Sequence, residues 1–564
     1  MTEWEPKGVS SLEKEALSAI KDADDCLVEA GPGSGKTELL AQKLDYLFST
    51  GKSLEPKKVL ALSFKKDAAE NLKIRVKQRY GNEFARRFIS LTFAAFEKRI
   101  LDQFLMSLPS DMRPNKDYII VNKKFADGKA EVTYKDITKL SKLIIKRNVY
   151  IKRAIRLTYD FVFVDEFQDT TTEQYELLKE CFLGSNTRLT AVGDKNQAIM
   201  RWADADEYIF EKFVIDFYPN KYRLLINYRS AEKLVEFQKY FLLKAFDLKQ
   251  NVKVSNSEDA MDGNIRLIKF DCDTTEAERL AEDISNNIVA EVLPSEICIL
   301  VKQKVQEYSN KIIEKLKTKG INSRIEDKYQ DMLKNPLIAL ILDVILISEN
   351  QKDPDAWENI KSYFFIPEST EDILSEGHSY NNYESEIELL IDNIRDIRKS
   401  YINCYDDMYK LILNIDSILE FNTVNYNYMK YSGAEEINKI LKLFSELFYK
   451  EYINANKSWI DAVKNFKGEN SIPIMTIHKS KGLEFEHVYL IGLEDNAFWS
   501  FHKDREENLN AIFVAISRAK NSFTFTYSQK RISINQSNNK INEIYNIIKD
   551  SGLVDEQFYQ HDLL

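Results

Sequence analysis

From about residue 24 the hydrophobic pattern alternates between two kinds of segment. Short apolar runs, CLVEA, KVLALSF, FISLTF, YDFVFVDE and RLTAVGD, read as buried strands. Between some of them lie helix-like stretches, such as 36–49 and 66–79. The alternation predicts a parallel sheet covered by helices. A second set follows: RLLIN, IRLIKF, EICILVK, IPIMTI, HVYLIGL and SFTFTYS. Two α/β cores are expected, with a boundary near residue 222. Residues 98–155 and 336–470 are mostly helical in pattern and carry no strand alternation, so each reads as an insertion into one core. No internal repeat, heptad run or low-complexity segment interrupts this order.

A chain of 564 residues exceeds what one core serves, in keeping with several domains. Hydrophobic content of 44% beside 30% charged residues is ordinary for a soluble globular protein. No apolar run approaches a membrane span, and MTEWEPKGVSS lacks the pattern of a signal peptide. Cys26, Cys181, Cys272, Cys298 and Cys404 form no CxxC pair, which suits a reducing cytoplasm and argues against zinc, iron–sulfur or disulfide frameworks.

The net charge of −10 conceals an asymmetry. Lys139, Lys142, Lys146, Arg147, Lys152, Arg153 and Arg156 form a positive stretch. Glu368, Glu371, Asp372, Glu376, Glu384, Glu386, Glu388 and Asp392 form an acidic one. A phosphate backbone favours the first and is repelled by the second, while two solvated helix faces explain either run equally well.

The chemistry concentrates at strand ends. CLVEA runs into Ala30, Gly31, Pro32, Gly33, Ser34, Gly35, Lys36 and Thr37, followed by helix-forming residues. Glycines let backbone N–H groups converge on a phosphate, and the helix N-terminus adds favourable partial charge. Lys36 is placed for the β- and γ-phosphates and Thr37 for Mg²⁺; Ala30 stands where the strict pattern has glycine. FVFVDEFQD is a strand ending in carboxylates, with Asp165 suited to Mg²⁺ and Glu166 to orienting and deprotonating water. Gln197, just beyond RLTAVGD, is in reach of a γ-phosphate, and Trp202 reads either as a base-stacking residue or as core.

Arg229 in LLINYRS and Arg518 in FVAISRA are suited to stabilising phosphoryl-transfer charge from the second core. TIHKSKGLEF reads as a loop between two buried strands. Its His478, Lys479 and Lys481 suit phosphates, Gly482 permits a tight turn, and Glu484 can accept from a ribose hydroxyl.

Together AGPGSGKT, ALSFKKDAAE, LTFAAF, DEFQD, VGDKNQAIMRW, NYRS, TIHKSKGLEF and VAISRA resemble the ordered motifs of UvrD/Rep-like superfamily 1 DNA helicases, over about residues 26–525. The resemblance implies an α/β fold of two RecA-like parallel-sheet domains of the P-loop NTPase type, each with a mainly helical insertion. The first domain is expected over 1–97 and 156–222 with insertion 98–155. The second is expected over 223–335 and 471–564 with insertion 336–470.

ATP would bind between the cores with Mg²⁺, and single-stranded or tailed DNA would cross both, with movement 3′ to 5′. Lys36, Thr37, Asp165, Glu166, Gln197, Arg229, Glu484 and Arg518 carry over as the ATPase set, and Tyr228 as an adenine-stacking residue. Phe64, Thr92, Trp202 and His478 fall where family members touch DNA.

Several positions depart from the family pattern. No Gln precedes the phosphate loop, Glu13 being the nearest candidate for reading adenine, and Glu38 replaces an arginine. Met200, Ala203 and Asp204 replace a stacking Tyr and an Arg-Gly pair, while Lys66 and Asp67 replace Asn-Lys. These departures put adenine strictness and the DNA grip in question. Modest insertions and a chain ending soon after Arg518 leave no expected room for a nuclease domain. That compact form resembles the helicase-like subunits of Gabija-type phage-defence systems, in which a partner supplies the nuclease.

The expected activity is an ATP-driven 3′–5′ DNA helicase or translocase. An ATPase that senses DNA ends and signals a partner nuclease is the alternative within the same class. A nucleotide-gated interaction protein without turnover is the alternative outside it, against which the intact Asp165–Glu166 pair and both arginines speak.

Overall fold

The computed structural model describes residues 4–9, 12–64, 66–116, 118–121, 129–198, 205–249, 251–255, 262–349, 352–364, 381–399, 402–422 and 434–560. The chain divides into two compact units. One comprises Met1–Leu280, Cys298–Lys311 and Thr476–Leu564; the other comprises Ala281–Ile297 and Ile312–Met475.

The first unit contains a six-stranded sheet. Its strands are β1 (Cys26–Ala30), β2 (Lys58–Ser63), β3 (Phe88–Thr92), β4 (Tyr159–Val164), β5 (Arg188–Gly193) and β6 (Asn220–Leu224), in the order β3-β2-β4-β5-β1-β6. Every pairing is parallel. Consecutive strand residues enter opposite faces. Val28, Val59, Phe161, Phe163 and Val192 pack with Leu40 and Leu44 of helix Lys36–Ser49 on one side. Leu27, Leu60, Val162, Val164 and Leu189 pack on the other. Burial on both faces explains why these strands read as continuous apolar runs.

Helices Tyr134–Arg147 and Val149–Thr158 share that second face through Ile137, Ile144, Ile151 and Ile155. The 98–155 region thus contributes to the core of the first sheet. It also holds a short parallel pair, Ile119–Ile120 with Glu131–Val132, which its pattern did not announce.

A second set of strands in this unit comprises β7 (Asn264–Cys272), β8 (Ile297–Val301), β11 (Phe485–Leu490), β12 (Ala519–Arg531) and β13 (Asp555–Tyr559), ordered β8-β11-β12-β7-β13. The expected strand RLLIN is divided differently. Asn220–Leu224 pairs with β1, so it closes the first sheet, and only Ile226–Asn227 continues, alongside Lys253–Val254. An apolar run marks a buried strand but not the sheet that receives it.

The other unit carries the parallel pair β9 (Ser323–Ile325) and β10 (Ile472–Thr476) and a group of helices. Helix Pro336–Ser348 is apolar on nearly every side and lies at the centre of a core that includes Ile394, Ile412, Phe444, Phe448 and Phe466. Its first turn is set by Pro336 and by Asn335, whose side chain accepts from the Leu337 N–H at 3.0 Å. Of the acidic stretch, Glu368, Glu371, Asp372 and Glu376 lie outside the described residues. Among the described residues no helix is long and apolar enough to cross a membrane.

Candidate active site

β1 ends at Ala30, whose methyl is buried in the sheet core, so alanine is accommodated where the strict phosphate-loop pattern has glycine. The loop turns through Gly33 (φ 68°) and Gly35 (φ 81°), and Gly35 caps helix Lys36–Ser49. A side chain at Gly33 would bring its Cβ within 2.5 Å of Asn227 Oδ1 and 2.7 Å of the Arg229 Cβ. The NYRS segment therefore lies directly on the loop, and the Tyr228 N–H donates to the Gly33 carbonyl at 2.8 Å. Lys36 Nζ donates to the Ala30 and Gly31 carbonyls, both at 3.3 Å, which places its ammonium at the mouth of the turn.

β4 delivers the carboxylates. Asp165 is buried and accepts the Glu166 N–H through Oδ1 at 2.9 Å. Glu166 has a left-handed backbone (φ 51°, ψ 46°), unusual for a residue with a Cβ, that turns it out of the strand. Gln168 donates to its Oε2 at 2.5 Å and accepts the Asp194 N–H at 3.0 Å, tying β4 to the end of β5. Burial pushes the Asp165 carboxyl up, and the neighbouring Glu166 charge adds to it. Burial also opposes ionisation of Glu166, but the charges of Lys481 and Lys36 and the bond from Gln168 outweigh it and hold this carboxyl low.

The remaining groups come from the segments leading into and through the second set of strands. Asn227, buried, accepts the N–H groups of Arg229 and Ser230 at 2.8 and 2.9 Å and so shapes the turn that aims Arg229. Arg229 Nε donates to Glu484 at 2.7 Å. Arg518 is buried and spends its guanidinium on neutral acceptors: the Val514 and Leu483 carbonyls at 3.1 Å, the Ser517 hydroxyl at 2.9 Å and Gln197 Oε1 at 3.1 Å. Burial, then repulsion from Arg229, pushes its pKa down to about 9.

Lys481 departs from expectation. Its ammonium is buried and donates to both oxygens of Asp169, at 2.9 and 2.7 Å, and to the Gln197 carbonyl at 2.9 Å. Its charge is committed to protein groups, with Glu166 Oε2 a further neighbour at 4.0 Å.

These elements surround a cleft of about 560 Å³, a size suited to a small ligand. Its walls hold the phosphate loop from Pro32 to Thr37, Glu166, Gln197, Tyr228, Arg229, Glu484 and Arg518. Asp165 is not part of the wall. Of the residues with a phosphate- or ribose-directed expectation, all but Ala30, Gly31, Asp165, Lys481, His478 and Lys479 therefore meet in one place.

The comparisons with known proteins agree with this geometry. Residues 222–530 match the UvrD-like helicase C-terminal domain. The chain belongs to the UvrD-like helicase family. Residues 13–203 of this UvrD-like chain match an AAA domain. It is 25% identical to a probable DNA helicase II homolog of Mycoplasma capricolum, over 92% of this chain and 84% of that protein. It is 24% identical to the ATP-dependent DNA helicase Rep of Buchnera aphidicola, covering 93% and 94%. It is 22% identical to the ATP-dependent DNA helicase PcrA of Bacillus subtilis, covering 94% and 84%.

The residues with a DNA-directed expectation in this UvrD-like chain are less concentrated. Phe64 directly follows β2 and Thr92 ends β3, and the register pairs Ser63 with Thr92, so the two sit side by side at the carboxyl edge of the first sheet. The Thr92 hydroxyl caps the next helix by accepting the Ala95 N–H at 3.1 Å. His478 is half-buried, with Nε2 4.0 Å from Glu507. Trp202 lies outside the described residues, as do Met200, Ala203 and Asp204.

Glu38, in the cleft wall, is tied to its neighbours. Glu38 pairs with Arg75 at 3.1 Å and with Arg79, and accepts from Gln42 at 2.7 Å. Arginines on helix Lys66–Arg87 thus neutralise the acid that stands in place of the family's arginine. Glu13 accepts the Leu225 N–H at 3.0 Å and is not part of the cleft wall.

Sequence reasoning did not single out Gln168, Asp169, Asp194 or Asn227. Each acts by holding another site residue, Asp169 across 312 positions and Gln168, Asp194 and Asn227 also within their own segments. The one available signal was their place within DEFQD, VGD and NYRS.

Proposed function

We propose that this chain is an ATP-dependent DNA helicase or translocase that hydrolyses ATP in the cleft around the phosphate loop and moves 3′ to 5′ along single-stranded DNA. The observation that carries the reading is Arg518. It is a buried cation bonded only to neutral acceptors among the described residues, in the same cleft wall as Lys36 and beside Arg229. Glu166, Glu484 and Asp194 act on it without bonding to it, so a polyanion in the cleft would supply the close opposite charge. Three cations around a helix N-terminus fit a triphosphate.

In this reading the loop N–H groups and Lys36 hold the phosphates, and Arg229 and Arg518 stabilise charge that develops on the transferred group. Glu166, held ionised, orients the attacking water and accepts its proton, while Gln197 links Arg518 to the phosphate side. Tyr228 and Glu484 take the base and ribose. The Thr37 hydroxyl and the Asp165 carboxylate are hard oxygen donors that fit Mg²⁺. Among the described residues the only group that donates to that carboxylate is the Glu166 N–H. The ion, when bound with the nucleotide, would neutralise charge on the phosphate oxygens.

Names of relatives support DNA as the partner, Rep and PcrA being ATP-dependent DNA helicases. A role in antiviral defence beside a partner nuclease, with DNA-end sensing in place of processive unwinding, is the narrower form of this proposal. It is supported by the departures at Met200, Ala203 and Asp204 in a motif that would grip DNA.

The test is unwinding of a duplex carrying a 3′ tail against one carrying a 5′ tail, with ATP. Preference for the 3′ tail is expected. Preference for the 5′ tail would overturn the polarity, and ATP hydrolysis without unwinding of either would favour the end-sensing form.

A further inference from the structure

Trp499 stands in the turn that follows β11, where Phe498 and Phe501 are buried and anchor the chain. The indole between them points the other way and is 65% exposed. A large aromatic surface left in water forgoes the burial that normally justifies it. It is not loose, however. Its Nε1–H donates to Gln303 Oε1 at 3.2 Å, and Gln303 in turn donates to the Asn496 and Ala497 carbonyls at 3.2 and 3.0 Å. Gln303 follows β8, which neighbours β11, so the ring sits at the carboxyl edge of two adjacent strands. Open α/β sheets place ligands at that edge.

The surroundings connect this ring to the groups already assigned to DNA. Lys302 Nζ lies 5.8 Å over the Phe498 ring, and Glu507, whose charge acts on Lys302, is the carboxylate 4.0 Å from His478. Helix Arg505–Ile516 carries Glu507, and Asn508 on it donates to the Ser500 hydroxyl at 3.3 Å. Two residues on, Asn510 donates to the Ala198 carbonyl at 3.3 Å, at the start of the segment that leads to Trp202. One helix therefore registers three stretches: the Trp499 turn, His478, and the approach to the motif in which Met200 replaces a stacking tyrosine. Asp504 and Glu507 oppose the charge of Lys302, so phosphate attraction is not what the ring offers.

We propose that Trp499 is a base-stacking platform for single-stranded nucleic acid, with Gln303 fixing the plane of the ring. This inference rests on the proposed function. A stacking contact accepts any base and needs no hydrogen-bond readout, which suits a protein that moves along strands of arbitrary sequence.

The test is equilibrium binding of a fluorescent oligothymidylate to the full chain and to its Trp499→Ala and Trp499→Phe variants. Unfolding midpoints are measured alongside. Trp499→Ala is expected to weaken binding about 5- to 150-fold, the range for loss of one stacked base, and Trp499→Phe to recover much of it. Because no phosphate contact is removed, the slope of affinity against salt should not change. On an abasic strand of equal length the Ala variant and the parent should bind alike. Equal binding of oligothymidylate by parent and Ala variant would overturn the proposal, as would an equal loss on the abasic strand. A parent chain that binds no DNA would overturn the underlying reading as well.

Discussion

Arg518 donates from Nη2 to Oε1 of Gln197 at 3.1 Å, although 321 residues separate them in sequence. Gln197 also donates through Nε2 to Asp194 at 2.9 Å, so its amide is oriented from both ends. A residue that follows the first sheet is thereby wired to a guanidinium just before β12. Each helps to hold the other in this pose.

Replacing Arg518 with alanine should lower ATP turnover about 10³- to 10⁵-fold, as loss of an arginine finger does. Arg518→Lys should recover little, because an ammonium cannot reproduce four bonds made by a planar fork. Single-turnover hydrolysis measures both. Turnover within tenfold of the parent in Arg518→Ala would remove this residue from the account.

Gly33→Ala tests the packing of NYRS on the phosphate loop. The added methyl would meet Asn227 and Arg229 at 2.5 and 2.7 Å, and the backbone at φ 68° disfavours any Cβ. Displacing that segment should impair nucleotide affinity and turnover together, read as a raised KM and a lowered kcat. An unchanged kcat would mean that Arg229 is not held through this contact.

Glu97 offers a pH test away from the cleft. It is buried, burial pushes its carboxyl up to about 7, and a bond from the Thr138 hydroxyl opposes that only partly. The folded state then holds this proton more tightly than the unfolded chain does. The associated stability is fully present below about pH 4.5 and is lost as pH rises through 7. A shift of this size corresponds to roughly 3 kcal/mol at most. Glu97→Gln should therefore gain stability relative to the parent at pH 8 and little at pH 5, measured by denaturant unfolding. An equal effect at both values would show that the carboxyl does not titrate in this range.

The basic stretch divides once its neighbours are known. Lys152 pairs with Glu180 at 3.3 Å, and Arg156 donates to the Cys181 and Leu183 carbonyls at 2.6 and 2.9 Å, so both serve the fold. Lys146, Arg147 and Arg153 are exposed. Neutralising those three should weaken DNA binding and reduce its salt slope, each phosphate contact contributing about 0.7 to the slope on single strands. An unchanged slope would make this a solvated helix face.

Much of the site was legible because phosphate chemistry imposes local patterns. AGPGSGKT needs its glycines and lysine within a few residues, and DEFQD needs a strand that exits into carboxylates. What stayed hidden depends on which partner a side chain takes. Lys481 looked like a phosphate ligand until Asp169, 312 residues away in sequence, was seen to take its charge. Asn227 looked like part of a strand, yet its side chain shapes the Arg229 turn. Likewise the apolar run at 223–227 announced a strand, but only backbone pairing with β1 shows that its first half belongs to the first sheet.

The central claim is that DNA drives hydrolysis in this cleft through Glu166. The most direct measurement is steady-state ATP hydrolysis by the parent chain and by Glu166→Gln, each with and without single-stranded DNA, with ATP binding measured in parallel. The expected result is strong stimulation by DNA in the parent, with turnover lost and ATP binding kept in the variant. Equal hydrolysis by parent and variant, or a parent rate indifferent to DNA, would contradict it.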